Sequence, residues 1–181
     1  PVRFYSGGNG PRILKIASRI MDGILIGGYY IPLVRTGRLA LMLEQPRKLS
    51  SEFQPNNAQY DTCELNVSIS RDRDAAFQFA KPYVSHMLIS LKQMGFTDDE
   101  FQINFVEPNL VKAVDEAFSN GATVSQVAEI IPDEAVKSCF VVGEPDECKD
   151  QILGLMEDAQ RLNFGQVCLA KPGPNYGEAI K

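Results

Sequence analysis

Three glycines near the start of the chain stand where backbone amides could hold a phosphate. Residues 6–11 are Ser-Gly-Gly-Asn-Gly-Pro, and they join a short apolar run, residues 2–5, to a helical pattern that begins at Pro11. Glycine permits positive φ and close approach of a ligand, and a helix N-terminus attracts anions. We therefore predict a strand, a tight turn and a helix whose N-terminus binds a phosphate. Because βα units without a ligand also use glycine turns, that alternative stays open.

A second glycine pair follows the next apolar run. Residues 24–26 are Ile-Leu-Ile and lead directly into Gly27 and Gly28. Two successive strands joined by a helix lie parallel, and their carboxyl ends meet at the same edge of the sheet. We therefore expect one phosphate to contact both glycine turns. Tyr29 and Tyr30 come next, and their rings either face a ligand or pack at the rim.

The remaining reactive side chains form no recognisable catalytic group. Glu64 lies on a predicted strand, where a structural partner is favoured over an acid–base role. His86 is the single histidine, and it is interpreted as a packed or rim residue. The cysteines have neither CxxC spacing nor a neighbouring histidine; they are Cys63, Cys139, Cys148 and Cys168. We predict reduced thiols and no metal site, and we name no catalytic residue.

Composition and charge narrow the class of protein. Apolar residues make up 44% of the 181 residues, charged residues make up 23%, and the formal net charge is -5. This acidic balance argues against a nucleic-acid partner. The nearest approach to a basic patch is interpreted as a solvated helix face, with contact of one of its residues to a phosphate as the alternative; it is formed by Arg35, Arg38, Arg47 and Lys48. Without a long apolar run or a cleavable signal, we expect a cytoplasmic protein with no membrane partner.

Helical and extended patterns alternate along the whole chain. The predicted elements after the second strand are a helix at 33–43 ended by Pro46, a polar loop at 49–59, a strand at 63–70, a long helix at 71–94, a helical insertion at about 97–137, a short extended run at 138–142, a helix that begins near 145 and a last strand at 166–170. This order predicts an α/β fold with about four parallel strands in one domain, residues 1–181. Since four strands cannot close an eight-stranded barrel, we expect a second half or a partner subunit, and hence an oligomer.

Four stretches resemble one family of enzymes, the bacterial-luciferase-like barrel proteins. They are residues 1–26, the Ala-Lys-Pro helix end at 76–83, the Gly-Glu-Pro-Asp-Glu helix start within 140–148, and residues 166–180. Within that family the sequence is most similar to the deazaflavin-dependent methylenetetrahydromethanopterin reductases. The resemblance covers nearly the whole chain but only the C-terminal half of a family member. It implies the C-terminal half of a TIM (β/α)8 barrel, with parallel strands and a helical insertion before the last strand.

The resemblance also implies a cofactor, a reaction and a set of site residues. The cofactor is coenzyme F-420 (a deazaflavin), with FMN as the alternative, and its phosphate is expected on the backbone after the first two strands. The matching positions are Ser6, Gly7, Gly8, Gly10, Gly27 and Gly28. The implied reaction is hydride transfer to or from a pterin-like one-carbon substrate. In the family, the acidic catalytic residue belongs to the N-terminal half.

Two other functions are compatible with the same residues. An FMN-dependent monooxygenase of this family would use the same phosphate site, since backbone amides do not distinguish the two cofactors. A non-catalytic half-barrel that binds a phosphate compound or a partner subunit is the alternative from another class, and it is consistent with the lack of an acid–base cluster.

Overall fold

The structure, a computed structural model, describes residues 2–53 and 60–179. The strands are β1 (Tyr5–Gly7), β2 (Gly23–Ile26), β3 (Thr62–Ile69), β4 (Val141–Gly143) and β5 (Gln166–Ala170). The helices are α1 (Pro11–Ile20), α2 (Tyr30–Arg35), α3 (Arg38–Phe53), α4 (Arg73–Gln93), α5 (Asp98–Ile103), α6 (Pro108–Ser119), α7 (Val124–Glu129), α8 (Asp133–Val136), α9 (Pro145–Arg161) and α10 (Tyr176–Ala179). No helix in this part of the chain is long and apolar enough to cross a bilayer.

The backbone divides into two compact units. The first comprises Pro1–Leu65 and Leu153–Ala170, and the second comprises Asn66–Ile152 and Lys171–Lys181. Strand β3 begins in the first unit and ends in the second. The prediction of one domain over residues 1–181 stays a prediction.

The first unit has parallel strands covered by helices. Strand β1 pairs with β2, β2 pairs with the start of β3, and β5 also pairs with β3. Helix α1 packs against α3 and against both strands that it connects. The fully or nearly fully buried apolar side chains of these elements include Leu14, Ala17, Ile24, Ile26, Leu39 and Leu43. The α/β class with parallel strands is therefore confirmed, and the apolar positions chosen by helical and strand spacing form this core.

The second unit is organised around α4. The end of β3 pairs in parallel with β4, with Val67 opposite Val141 and Ile69 opposite Gly143. Helix α4 packs against β4 and against α6, α7 and α8. The helices α5 to α8 occupy the segment that the sequence interprets as an insertion. Thr97 and Thr123 each begin a helix with a capping box, so the short helices α5 and α7 have their first amides satisfied by local side chains.

Three element boundaries differ from the sequence prediction. The first strand starts at Tyr5 rather than Val2, because both backbone polar groups of Phe4 are hydrogen-bonded to Asp22. The Phe4 amide donates to the Asp22 carboxylate at 2.8 Å, and the Asp22 amide donates to the Phe4 carbonyl at 2.9 Å. The prediction of a turn beginning at Ser6 is therefore wrong, since Ser6 and Gly7 lie in the strand. The short extended run predicted at 138–142 contains a strand, β4, at Val141–Gly143. With it, the described residues form five strands instead of the predicted four.

The region between β2 and β3 also differs. The helix predicted at 33–43 is two helices, which separate at Gly37, where φ is +71°. The prediction that Pro46 ends the helix is wrong, because Pro46 is buried inside α3 and the helix continues through Phe53. The missing proline amide removes one helical hydrogen bond, and burial of the ring on the apolar side offsets this loss. The predicted loop is thus helical up to Phe53, and its remainder, 54–59, lies outside the described residues.

Arg47 forms a buried ion pair instead of belonging to a solvated face. Its guanidinium donates two hydrogen bonds of 3.1 Å to Asp61, whose side chain is 2% exposed. The other Asp61 oxygen accepts the Ile24 amide at 3.1 Å, and Arg47 also donates to the Leu162 carbonyl. This network joins α3, β2, the start of β3 and the residue after α9. It therefore stabilises the first unit at the end of the strands opposite the glycine turns.

Two polar residues of β3, Asn66 and Ser68, are buried and hydrogen-bonded. The Asn66 amide nitrogen donates to the Cys139 carbonyl at 3.3 Å, and Lys171 donates to the Asn66 oxygen at 2.7 Å. The Ser68 hydroxyl donates to the Ala76 carbonyl at 2.7 Å. Buried polar groups need such partners, so these residues hold the end of β3 against α4 and the segment after β5.

We expect replacement of Gly173 by alanine to lower the free energy of unfolding by about 3 kcal/mol. Gly173 has φ of +120°, and an added Cβ would lie 2.6 Å from the Ile69 carbonyl oxygen and 2.8 Å from its nitrogen. Since both neighbours are backbone atoms of β3, neither can move away without disturbing the strand pairing. Chemical denaturation of the purified variant measures the change.

Gly121→Ala is the matched control. Gly121 also has positive φ, +82°, but an added Cβ meets nothing within 4 Å. We expect a loss of about 1 kcal/mol there, from backbone strain alone. Equal losses at the two positions would contradict a contribution from the close approach of Gly173 to β3.

Candidate functional site

The carboxyl ends of β1 and β2 lie side by side. Tyr5 is opposite Gly23, Ser6 is opposite Ile24, and Gly7 is opposite Leu25, all in parallel register. The residues that follow each strand therefore leave the sheet at the same edge. The predicted pairing of the two strands is confirmed, and it brings the segment 8–10 to the same edge of the sheet as the pair 27–28.

The N-terminus of α1 has no side-chain cap. Gly10 is the N-cap with φ of -79° and ψ of 142°, it makes no side-chain cap hydrogen bond, and Pro11 occupies the first turn. The helix has no acidic residue in that turn, so no carboxylate of its own neutralises its positive end. The first amides of a helix have no acceptor within the helix. An anion at this end would therefore satisfy the amides of Arg12 and Ile13.

The glycines at this edge have two different structural roles. Gly8 has φ of +145°, and an added Cβ would lie 3.2 Å from two side-chain carbons of Ile13. The chain itself thus requires glycine at this position. An added Cβ at Gly10, the N-cap of α1, would meet nothing within 4 Å, and the same holds at Gly27, which follows β2 at the same edge of the sheet. Binding of a cofactor by the six predicted residues stays a prediction. These residues are Ser6, Gly7, Gly8, Gly10, Gly27 and Gly28.

Asn9 is a residue to which the sequence assigned no role. Its side-chain oxygen is buried and has no hydrogen-bond partner in the part of the chain that the structure describes. Asparagine in a glycine turn is usually explained by the left-handed conformation, but Asn9 is not among the residues with positive φ. No sequence signal identified it, because burial of one atom depends on the folded turn.

Tyr30 belongs to the core and not to the rim. It is fully buried, its hydroxyl donates to the Leu155 carbonyl at 3.2 Å, and its ring meets Phe164 edge to face. Burial raises the pKa of its hydroxyl, with nearby Cys63 adding to the shift. Tyr30 therefore remains protonated and serves packing.

Two of the cysteines, Cys63 and Cys148, lie in surroundings that disfavour the thiolate. Burial raises the pKa of the Cys63 thiol to about 12, with Cys168 adding to the shift, and burial raises that of Cys148 to about 11, with Glu147 adding to the shift. Such thiols are protonated at neutral pH and are poor nucleophiles. Among the described residues, no group of three histidine, cysteine or acidic side chains could hold a metal ion. Glu64 is half-buried on β3.

Parallel strands, intervening helices and glycine turns at the carboxyl edge are typical of the α/β-barrel class of protein. The chain belongs to the luciferase-like monooxygenase family, whose family model matches residues 1–160. The family resemblance seen in the sequence is thus confirmed.

Individual relatives are similar over almost the whole chain. The 5,10-methylenetetrahydromethanopterin reductase of Methanopyrus kandleri is 25% identical, covering 99% of this chain and 48% of the relative. Among solved structures, the coenzyme F-420-dependent tetrahydromethanopterin reductase from the same organism superposes with a TM-score of 0.69 at 20% identity, over 99% of this chain and 48% of that one. An F-420-dependent secondary alcohol dehydrogenase superposes with a TM-score of 0.60 at 14% identity, over 99% and 46%.

The chain spans about half the length of the curated relatives that it matches. The structural matches show that its fold is that of the luciferase-like barrel enzymes, and the half-barrel architecture inferred from the sequence agrees with them. The family contains coenzyme F-420-dependent oxidoreductases.

Proposed function

We propose that this chain is the C-terminal part of a coenzyme F-420-dependent oxidoreductase and that it binds the phosphate of the deazaflavin. The proposed ligand-binding positions are Ser6, Gly7, Gly8, Gly10, Gly27 and Gly28. The observation that carries the proposal is the uncapped N-terminus of α1, where an added Cβ on the N-cap Gly10 would meet nothing within 4 Å, at the same edge of the sheet as Gly27.

The residues at this edge fit a phosphate in three respects. The first-turn amides of α1 supply donors, the missing β-carbons of Gly10 and Gly27 supply room, and α1 has no acidic residue in its first turn. When bound, the deazaflavin ring would supply the hydride chemistry. This chain's residues would fix the phosphate end and thereby orient the ring.

We propose a one-carbon tetrahydromethanopterin compound as the substrate. The support is the resemblance to methylenetetrahydromethanopterin reductases along 99% of the chain. We assign no catalytic residue to this chain, and we place the acid–base chemistry in the other half of the enzyme.

We further propose that the missing N-terminal half, or a partner subunit, covers the first unit. Helix α1 exposes Ile13, Ile16 and Ile20, which fall on one side of the helix, with exposed fractions of 43%, 57% and 67%. Among the described residues, β1 pairs only with β2, so its other edge offers free backbone groups. An added strand would pair with the free edge of β1, and an added apolar helix would cover the exposed isoleucines of α1.

Ligand titration tests the cofactor proposal. We expect the 181-residue chain to bind coenzyme F-420 at least tenfold more tightly than the unphosphorylated deazariboflavin core, because charge-assisted hydrogen bonds to the phosphate contribute about 1.5–3 kcal/mol each. Isothermal calorimetry with FMN and riboflavin provides the parallel pair. Equal affinity for phosphorylated and unphosphorylated forms would contradict the phosphate site.

The same titrations separate the two cofactor alternatives. Tighter binding of FMN than of F-420 would favour the FMN-dependent monooxygenase. Binding of inorganic phosphate without binding of either ring would favour the non-catalytic half-barrel. Intact mass and visible absorption of protein from its native source then show whether the chain occurs within a longer polypeptide that carries a chromophore.

A further inference from the structure

Asparagine precedes glycine at two places in this chain, Asn9–Gly10 and Asn120–Gly121. We propose that Asn9 is a site of spontaneous deamidation in the folded protein, where the side-chain amide becomes a carboxylate, and that Asn120 is protected by the helix end to which it belongs. The two dipeptides differ in the hydrogen bonding of the glycine amide. The modification needs no ligand, so it is independent of the proposed function.

The reaction joins the side chain of asparagine to the backbone of the next residue. The amide nitrogen of Gly10 loses its proton and attacks Cγ of Asn9. A bond forms between these two atoms, the bond from Cγ to Nδ2 breaks, and ammonia leaves with the proton that the Gly10 nitrogen gave up. Water then opens the resulting ring at either of its carbonyl groups, which yields aspartate or isoaspartate. Glycine favours this attack, because it has no Cβ and the least restricted backbone.

The amide of Gly10 is available for this attack. Gly10 precedes the first residue of α1, and its N–H has no hydrogen-bond acceptor among the described residues. Gly10 is exposed, and an added Cβ would meet nothing within 4 Å, so water and hydroxide reach its nitrogen. The side-chain oxygen of Asn9 also lacks a donor in this part of the chain, so no hydrogen bond to that oxygen fixes the side chain.

The second dipeptide is exposed on both residues, but its glycine amide is hydrogen-bonded. Asn120 is the C-cap of α6. The Gly121 amide donates to the Phe118 carbonyl at 3.0 Å, and the Ala122 amide donates to the Ala117 carbonyl at 3.0 Å. Gly121 has φ of +82°, and these two bonds form the left-handed helix end that glycine favours after a C-cap. Attack on Asn120 therefore requires this helix end to open first.

Deamidation of Asn9 changes the charge at the start of α1. The product has a carboxylate one residue before the N-cap Gly10, and α1 has no acidic residue in its own first turn. A carboxylate at this end is favourable for the helix dipole but competes with a bound anion. An aged preparation should therefore bind FMN more weakly than a fresh one. This consequence rests on the proposed function, whereas the modification itself is measured without ligand.

Peptide mapping by mass spectrometry tests the proposal in the 181-residue chain, incubated in mildly alkaline buffer. Trypsin releases the two dipeptides separately, Asn9 within residues 4–12 and Asn120 within residues 113–137. We expect Asn9 to be converted about tenfold faster than Asn120, because the barrier at Gly121 includes the loss of a hydrogen bond. A sample digested without incubation gives the background. In the chain unfolded by denaturant, we expect the two rates to agree within a few-fold.

Gly10→Ala makes the result specific to attack by the Gly10 nitrogen. The φ of -79° and ψ of 142° suit alanine, and the position has room for a Cβ, so the variant should fold. We expect the conversion of Asn9 to slow about tenfold, since the methyl group hinders the attack. Gly154→Ala is the matched control, because an added Cβ also meets nothing there, and the rate at Asn9 should be unchanged.

Equal rates at Asn9 and Asn120 in the folded chain would overturn the proposal. An unchanged rate at Asn9 in Gly10→Ala would do the same. So would conversion of Asn9 that is far slower in the folded chain than in the unfolded one, since the folded turn would then protect Asn9 as well. Failure of the chain to bind F-420, FMN or inorganic phosphate would overturn the proposed function and leave this inference intact.

Discussion

Gly10→Asp is expected to weaken binding of coenzyme F-420 or FMN by about 100-fold while making the protein slightly more stable. Two like charges about 4 Å apart near a protein surface repel by about 4 kcal/mol at an effective dielectric constant of 20, and solvent screening reduces this. Aspartate is also a better N-cap than glycine, so the free energy of unfolding should rise by about 0.5 kcal/mol. Calorimetric titration and chemical denaturation measure the two effects.

The opposite signs of the two effects make this variant informative. The φ and ψ of Gly10 suit any residue, and nothing lies within 4 Å of an added Cβ, so misfolding is not expected. Gly10→Ser supplies a capping oxygen, as aspartate does, but no charge. Its Kd for F-420 or FMN should lie within a few-fold of that of the original chain. Gly154→Asp adds the same charge in the middle of α9, where an added Cβ also meets nothing, and should leave binding unchanged. Unchanged affinity in Gly10→Asp would refute a phosphate at the α1 N-terminus.

Asp61→Ala is expected to lower the free energy of unfolding by about 3 kcal/mol or more. The substitution leaves the Arg47 guanidinium, only 29% exposed, without its carboxylate, and the Ile24 amide loses a buried acceptor. Because these contacts join α3, β2 and β3 within the first unit, their loss should destabilise that unit as a whole. Thermal and chemical denaturation of the variant measure the change.

Two comparisons separate the ion pair from ordinary surface effects. Asp61→Asn retains an acceptor for Ile24 but removes the charge, so we expect a loss intermediate between the original chain and Asp61→Ala. Asp115→Ala breaks the Lys92–Asp115 pair, in which both side chains are more than 40% exposed, and should cost at most about 1 kcal/mol. Equal losses in Asp61→Ala and Asp115→Ala would show that burial of the Arg47–Asp61 pair adds no stability.

The prediction succeeded where a short stretch of sequence contains the relevant physical information. The apolar run at 24–26 and the alternation at 63–70 identify β2 and β3, because period two is a local property of a strand. The glycine turn before Pro11 likewise marks the start of α1, since proline at the first helical position is locally favourable.

The prediction failed where one local signal competed with a distant contact. Val2 and Phe4 have strand-forming side chains, yet they are 81% and 64% exposed, because Asp22 fixes this segment before the ladder begins. Pro46 is the strongest local signal for a helix end, yet its burial in the first unit allows α3 to continue. In both cases the deciding partner lies outside the window from which propensity is estimated.

The sequence alone determined the α/β class, the family and the edge at which a phosphate is expected, because strand periodicity, proline and glycine act within a few residues of their own positions. Only the tertiary structure decided which glycines the chain needs and which leave open space, since Gly8 faces Ile13 while Gly10 and Gly27 face nothing within 4 Å. It also moved Arg47 from a solvated face into an ion pair and left the oxygen of Asn9 buried. Burial and pairing depend on atoms brought together by folding, and no local pattern of residue types specifies them.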